Sequence, residues 1–240
     1  MLTFIRTNEN DVRDGAQMIT EIYNEAPHAR PDDLAHKFFA RMGLDFNLPP
    51  SVRVHPALNY SMGTMEFMGL FPALVLPKRD GAWRLRGVEM IYLQDDAKPA
   101  PVVDPYTAYW LDEPEDGTFM ALHEPVDGVY GVTKGLMSAL AANHFTGIPM
   151  CAVEEPKDLE RFQIPDGVSV LVIFATEALM PQANALADRA EALGLRTRIV
   201  LPEMPTASWV HEFALRGAIP VDDIAAQRDD HASDTHKPQD

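Results

Sequence analysis

Apolar runs and amphipathic stretches alternate along the second half of the chain. Residues 168–174 are almost continuously apolar, which is typical of a central strand that is buried on both faces. Residues 181–193 have the apolar spacing of a helix, which Gly194 closes, and residues 197–201 form the next predicted strand. This order predicts a parallel sheet with helices packed against it.

The remaining elements of this half continue the pattern. Strands are predicted at 126–130 and 150–153, and helical segments at 134–143, 159–162 and 207–216. The turn from Tyr130 to Gly135 contains glycines and a lysine, but it lacks the spacing of a phosphate loop before a Gly-Lys-Ser/Thr step. We therefore interpret it as an ordinary connection between a strand and a helix.

The first half has a different pattern, with two helices followed by short strands. The helices are predicted at 8–26 and from Pro31 to Gly43, and a first alternating strand at 51–55. Residues 73–76 and 83–93 are typical of a hairpin that turns at Arg79-Asp80-Gly81. The proline-rich residues 99–105 are expected to be extended, and residues 111–117 to be a connector.

These patterns predict a protein of the α/β class with two domains. A smaller α+β domain is expected at residues 1–115, and an α/β domain with a mostly parallel sheet and flanking helices at 116–221. Residues 222–240 are polar and are predicted to form a disordered tail.

Composition narrows the functional classes. The chain has 240 residues and a formal net charge of −16, which argues against unspecific binding to a polyphosphate, although a local basic groove stays compatible with it. The single cysteine, Cys151, lies in an apolar run and is expected to be buried. No apolar run has the length of a membrane span and the first residues do not resemble a signal peptide, so we expect a cytoplasmic protein without a membrane partner.

Candidate chemistry is expected where the parallel strands end, because open α/β sheets bind ligands beyond the carboxyl ends of their strands. The predicted ends are Tyr130, Phe174 and Pro202. The acids that follow them are isolated: Glu177 after the second end and Glu203 after the third. They are weak candidates for a metal site, and ordinary solvated side chains are the simpler interpretation. The histidines do not have a zinc-binding spacing.

A second candidate is the hairpin, where cations surround an aromatic side chain. Its members are Lys78, Arg79, Trp83, Arg84 and Arg86. This composition is typical of surfaces that follow a single nucleic-acid strand, and a solvated hairpin is the alternative.

From Ala35 onward the first half of the chain contains, in this order, the segments "AHKFFARMGL", "LPPSVRVHPALNY", "FPALVLPKRDGAWRLRGVEMIYL" and "DDAKPAP". This order resembles the small domain that precedes the Toprim domain in plasmid and phage primase-like proteins, and the resemblance continues through the Toprim domain to about Phe213. In the second part "GVTKGLMSAL" resembles the helix that opens with a Glu-Gly-x-Glu-Thr signature. "IPDGVSVLVIFATEALMPQANALADRAEALGLRTRIVLP" resembles the strand, Asp-x-Asp turn, helix and strand that follow, and "TASWVHEF" the family's Asp-Trp-Asn-Asp segment. The zinc module and the helicase segment of complete primases are not found in this sequence.

The resemblance implies a general acid/base at the first signature glutamate and Mg²⁺ at the Asp-x-Asp pair. The two signature glutamates fall on Gly131 and Lys134. The aspartates fall on Phe174 and Thr176, or on Ala175 and Glu177 after a shift of one residue. In the later segment Trp209 is retained, while Ser208 and His211 stand at acid positions. The resemblance therefore implies the fold of the family without its metal chemistry.

The sequence thus predicts a catalytically degenerate Toprim homologue that acts as a binding or regulatory protein in plasmid or phage DNA metabolism. A protein or a nucleic acid is the expected partner, and no cofactor is expected. One alternative is a divergent Mg²⁺-dependent primase or nuclease in which Glu177, Glu203 and Glu154 or Glu155 converge. Another is an acidic inhibitor or DNA mimic, which the net charge favours.

Overall fold

The computed structural model describes residues 9–45, 47–62, 66–111, 116–204 and 208–216. Within these ranges the helices are α1 (Glu9–Glu25), α2 (Leu34–Arg41), α3 (Leu136–Thr146), α4 (Pro156–Glu160), α5 (Met180–Ala192) and α6 (Trp209–Arg216). The strands are β1 (Arg53–Met62), β2 (Glu66–Arg79), β3 (Leu85–Tyr92), β4 (Tyr106–Trp110), β5 (Phe119–Ala121), β6 (Val129–Lys134), β7 (Met150–Val153), β8 (Val170–Phe174) and β9 (Arg196–Val200). The predicted tail, 222–240, lies outside the described residues.

All of these strands belong to one sheet. Its order is β4-β3-β2-β5-β7-β6-β8-β9, and β1 pairs with β2 beside this path. The long strand β2 makes this possible, because β3 takes one of its edges while β1 and β5 share the other. Pairing is antiparallel from β4 through β5 to β7, and parallel among β7, β6, β8 and β9.

This arrangement confirms the mixed α/β class and joins the two predicted parts in one large sheet, while a Toprim-like sheet stays a prediction. Most of the pairings in the sheet are antiparallel, and parallel pairing is confined to β7, β6, β8 and β9. The prediction placed no strand at Phe119–Ala121, and this short strand joins the two halves through pairs with β2 and β7. The domain boundaries stay a prediction.

Helices cover both faces of the parallel strands. Successive residues of β8 alternate between two cores, with Val172 and Phe174 in one and Leu171 and Ile173 in the other, as expected for a strand that is buried on both sides. Helices α2, α3 and α6 contribute to the first core, and α4 and α5 to the second. A third core lies under α1, on strands β1 to β3. None of the described helices is both long and apolar enough to cross a membrane.

Helix α2 begins later than predicted. Asp33 lies at its N-cap, where one carboxylate oxygen accepts hydrogen bonds from the backbone N–H groups of Ala35 and His36 at 2.9 and 3.1 Å. Pro31 therefore lies in the turn before the helix rather than in its first turn. The predicted stop at Gly43 is confirmed, since this residue has a φ of +83° just after the helix.

The strand that was predicted to end at Tyr130 is wrong in its position. Strand β6 continues to Lys134, and Gly131 lies within it, opposite Met150 of β7 and Val172 of β8. A Cβ atom at Gly131 would collide with the side chain of Met150, so the glycine serves close packing between strands and not a turn. The turn into α3 is made by Gly135, which has a φ of +88°.

Candidate functional site

Three parallel strands end side by side at one edge of the sheet, which is the expected position for a ligand site. Lys134 of β6 is level with Val153 of β7, and Thr133 is level with Phe174 of β8. The segments that follow the three strands are Lys134-Gly135, Glu154-Glu155 and Ala175-Thr176-Glu177. We call this the carboxyl edge.

The carboxyl edge is held together by buried hydrogen bonds. The Thr133 hydroxyl donates to the Phe174 carbonyl at 2.6 Å, and the backbone N–H of Gly135 donates to the Val153 carbonyl at 2.8 Å. Trp209 of α6 donates its indole N–H to the Ala175 carbonyl at 3.2 Å, and its ring packs on Phe174 with centroids 5.1 Å apart. The three segments named in the resemblance therefore meet here.

The side chains at the carboxyl edge do not fit the Mg²⁺ ion that the resemblance implies. Lys134 is half-buried at the end of β6 and brings a positive charge, whereas a hard cation requires oxygen ligands. Thr176 is neutral, and Glu177 is exposed. In the described part of the chain, no group of three or more His, Cys, Asp or Glu is placed to hold one metal ion. We derive no step through a metal.

Another acid near this edge, Glu154, has a side chain that is 40% exposed and belongs to an ion cluster around a buried lysine, which sequence reasoning missed. Lys78 of β2 is only 2% exposed, and its ammonium group pairs with Glu154 and, at 2.7 Å, with Glu89 of β3. The indole ring of Trp110 in β4 lies 5.7 Å from the ammonium nitrogen. One cation thus bridges two antiparallel strands and the end of a parallel one.

The register of the strands explains this cluster. Lys78 is opposite Gly87 in β3 and Met120 in β5, and neither of these two residues is charged. Burial lowers the pKa of Lys78, and Glu89 opposes this effect by stabilising the ammonium form. We call Lys78, Glu89 and Glu154 the ion cluster.

The structure separates the predicted hairpin group onto different parts of the molecule. Lys78 is in the ion cluster and does not reach the surface. Arg84 has a side chain that is 67% exposed, and its Nε donates to Asp80 Oδ2 at 2.7 Å. Arg86 is half-buried on β3. The predicted role of this group in nucleic-acid binding stays untested, and these positions do not form one continuous surface.

Arg79 and Trp83 point to another part of the molecule, a groove of about 570 Å³. Arg79 donates from Nη1 to the Trp83 carbonyl at 2.6 Å. The Trp83 ring packs edge-on against Phe119 and Tyr130, with centroids 5.7 and 5.9 Å apart. Val126 and Pro149, which precede β6 and β7, also line this groove, so it lies at the amino ends of the parallel strands. We call it the amino-edge groove.

Two further titratable groups have clear structural roles. Cys151 is fully buried, as predicted, and its thiol donates to the Gly131 carbonyl at 3.4 Å. Burial raises the pKa of the Cys151 thiol well above its ordinary value, which suppresses the reactive thiolate. Burial lowers the pKa of His123, whose Nδ1 accepts a hydrogen bond from the backbone N–H of Met150 at 3.3 Å.

Comparison with known proteins gives a partial family match. A family model described as a domain of unknown function, DUF7146, matches residues 13–109, which is less than half of the chain. A search of curated proteins found no match.

Among solved structures, two similar ones contain primase domains. One is the bacteriophage T7 lagging-strand DNA polymerase with the primase domains of two gp4 subunits, bound to an RNA/DNA hybrid and dTTP. This match has 10% sequence identity, covers 73% of this chain and 79% of that chain, and has a TM-score of 0.40. The other is a DNA primase domain from Pseudomonas aeruginosa. That match has 16% sequence identity, covers 86% of this chain and 66% of that chain, and has a TM-score of 0.40. TM-scores of 0.40 at 10% and 16% identity do not establish a shared fold, and the Toprim assignment stays a prediction.

Proposed function

We propose that this protein is a catalytically degenerate primase-like protein that acts by binding, in plasmid or phage DNA metabolism. The observation that carries the proposal is the chemistry of the carboxyl edge. Lys134 brings a cation to it, Thr176 brings a neutral hydroxyl, and Glu154 is paired with Lys78. A binding role needs the scaffold of the sheet and does not need acids at this edge.

The retained scaffold supports the proposal in a second way. Trp209 and Thr133 fix the carboxyl edge through bonds to the backbone carbonyls of Ala175 and Phe174. These bonds hold the strand ends in place without any contribution from an acidic side chain. The expected partner is a nucleic acid or a protein.

The proposal is tested by titrating the full chain with Mg²⁺ and Mn²⁺ in a calorimeter and by assaying primer synthesis and nuclease activity in the same buffers. We expect no saturable heat at the carboxyl edge and no turnover above that of a blank. Metal-dependent turnover that Glu177→Gln abolishes, and that Glu160→Gln on the exposed side of α4 leaves intact, would overturn the proposal. The second variant is the matched control, because it removes one exposed carboxylate away from the strand ends.

A further inference from the structure

The amino-edge groove contains two arginines whose side chains are held by neutral groups. Arg53 and Arg79 both line it, together with His28, His123 and the half-buried ring of Trp83. Its volume of about 570 Å³ is in the range of small-molecule sites. The groove lies at the opposite ends of β6 and β7 from the carboxyl edge.

Arg53 is positioned by the end of α1. Its Nη1 donates to the carbonyls of Tyr23 and Ala26 at 3.0 and 3.3 Å, and its guanidinium carbon lies 4.2 Å from the centre of the Tyr23 ring. These partners are neutral, so they orient the guanidinium group without neutralising its charge. The Arg53 side chain is half-buried, which reduces the screening of that charge by water.

Arg79 is positioned in a similar way, by the Trp83 carbonyl. Across the described ranges, neither arginine has a carboxylate within ion-pair distance. The one acid that lines the groove, Glu124, is exposed. Two guanidinium groups therefore face one groove with donors that remain available to an outside acceptor.

We propose that the amino-edge groove is a phosphate-binding site. Phosphate oxygens match the planar fork of a guanidinium group, and two such groups held by carbonyls are preorganised for a doubly charged anion. The source of the phosphate is a small phosphorylated molecule or the backbone of a single nucleic-acid strand. This inference specifies the proposed binding function and rests on it, and it places the ligand away from the carboxyl edge.

The test uses the full chain and two probes, pyrophosphate and a single-stranded thymidine oligonucleotide of about ten nucleotides. Arg79→Gln is compared with Arg41→Gln, which removes the same charge from an exposed side chain on α2 that does not line the groove. We expect Arg79→Gln to weaken binding of each probe about tenfold, as the loss of a charge-assisted bond predicts, and Arg41→Gln to change it less than about twofold. Melting temperatures of both variants establish that they are folded.

Two further comparisons make the test decisive. Arg79→Lys keeps the charge and loses the fork, so it should bind with intermediate affinity. Trp83→Phe should weaken the oligonucleotide more than pyrophosphate if a strand is the source, and should affect both alike if a small molecule is. No binding of either probe by the wild-type chain, or equal losses in Arg79→Gln and Arg41→Gln, would overturn the inference. Metal-dependent turnover would instead overturn the proposed function, and the binding measurements at the groove would still test the phosphate site.

Discussion

The ion cluster near the carboxyl edge and the amino-edge groove use their cations in opposite ways. Near the carboxyl edge, Lys78 is enclosed between the carboxylates of Glu89 and Glu154, so its charge is neutralised within the chain. In the groove, Arg53 and Arg79 are held by backbone carbonyls, so their charges are oriented and not neutralised. In the first arrangement, loss of the cation leaves carboxylates without their partner, and the second arrangement suits the capture of an anion.

This difference indicates which of the two regions suits the binding of an anion. A carboxyl edge that contains Lys134 repels a cation, and one of its acids, Glu154, is engaged by Lys78. The groove needs no metal, and in a chain with a formal charge of −16 it is a local exception to the average surface. Variants of the ion cluster should therefore change the free energy of unfolding without changing the affinity of the groove for an anion.

The largest effect is expected in the ion cluster. Lys78→Met removes the cation and leaves Glu89 and Glu154 facing each other, which should lower the free energy of unfolding by about 3 kcal/mol. Urea unfolding followed by circular dichroism measures this change. Lys98→Met is the matched control, because Lys98 pairs with Asp96 at an exposed site and should contribute less than about 1 kcal/mol.

A further variant tests whether the lost stability can be recovered. Replacing Glu89 and Glu154 by glutamine in the Lys78→Met background removes the unpaired charges and should recover most of the lost stability. The affinity of the amino-edge groove for pyrophosphate should be unchanged in every folded variant of this series. A loss of affinity that tracks the loss of stability would show that the two regions are coupled.

A smaller effect is expected for Arg53. Arg53→Met breaks the bonds to the last carbonyls of α1 and the contact with the Tyr23 ring, which should lower the free energy of unfolding by about 1–2 kcal/mol. The same variant should also weaken pyrophosphate binding. Arg30→Met, a charge change at an exposed position, should alter stability by less than about 0.5 kcal/mol. Equal stability losses in the two variants would contradict the contacts described for Arg53.

The smallest effect concerns His123, on the wall of the groove. Because burial lowers its pKa in the folded chain, the unfolded chain binds more protons just below pH 6.5, and stability falls as the pH decreases through that window. His123→Gln keeps an acceptor for the Met150 N–H and cannot titrate, so it should reduce this slope by up to about 1.4 kcal/mol per pH unit. Unfolding curves at pH 7.5 and 5.5 (chosen to bracket the ordinary histidine pKa) provide the measurement. A slope equal to that of the wild type would refute this assignment.

Much of the fold was predictable because local patterns determine it. Strand β8 was predicted from its apolar run and the hairpin turn at Asp80 from its local sequence, and the structure confirms both. Strand β6 was misplaced because Gly131, Thr133 and Gly135 together look like a turn. Their roles depend on neighbours: Gly131 lies against Met150, and the Thr133 hydroxyl bonds to the Phe174 carbonyl.

The two charge arrangements were not predictable for a similar reason. Lys78 was grouped with Arg79, Trp83, Arg84 and Arg86 because the residues are close in sequence, yet adjacent residues of a strand point to opposite faces. The ion cluster joins residues from β2, β3 and the end of β7, so it depends on the register of the sheet. A cue existed in the alternation of β2, where Leu74 and Leu76 share the face of Lys78 and enter the core.

Strand β5 has a practical consequence for anyone who divides this chain. The sheet passes from its antiparallel to its parallel part through the pairs Lys78 with Met120 and Arg79 with Phe119. A fragment that ends at residue 115 loses both pairs, exposes bare backbone along the end of β2 and leaves Lys78 without Glu154. Open strand edges recruit other chains, so we expect this fragment to precipitate on expression. A fragment that ends with β7 would cover the end of β2 but would open the edge of β6 that pairs with β8, so the undivided chain is the better choice for expression.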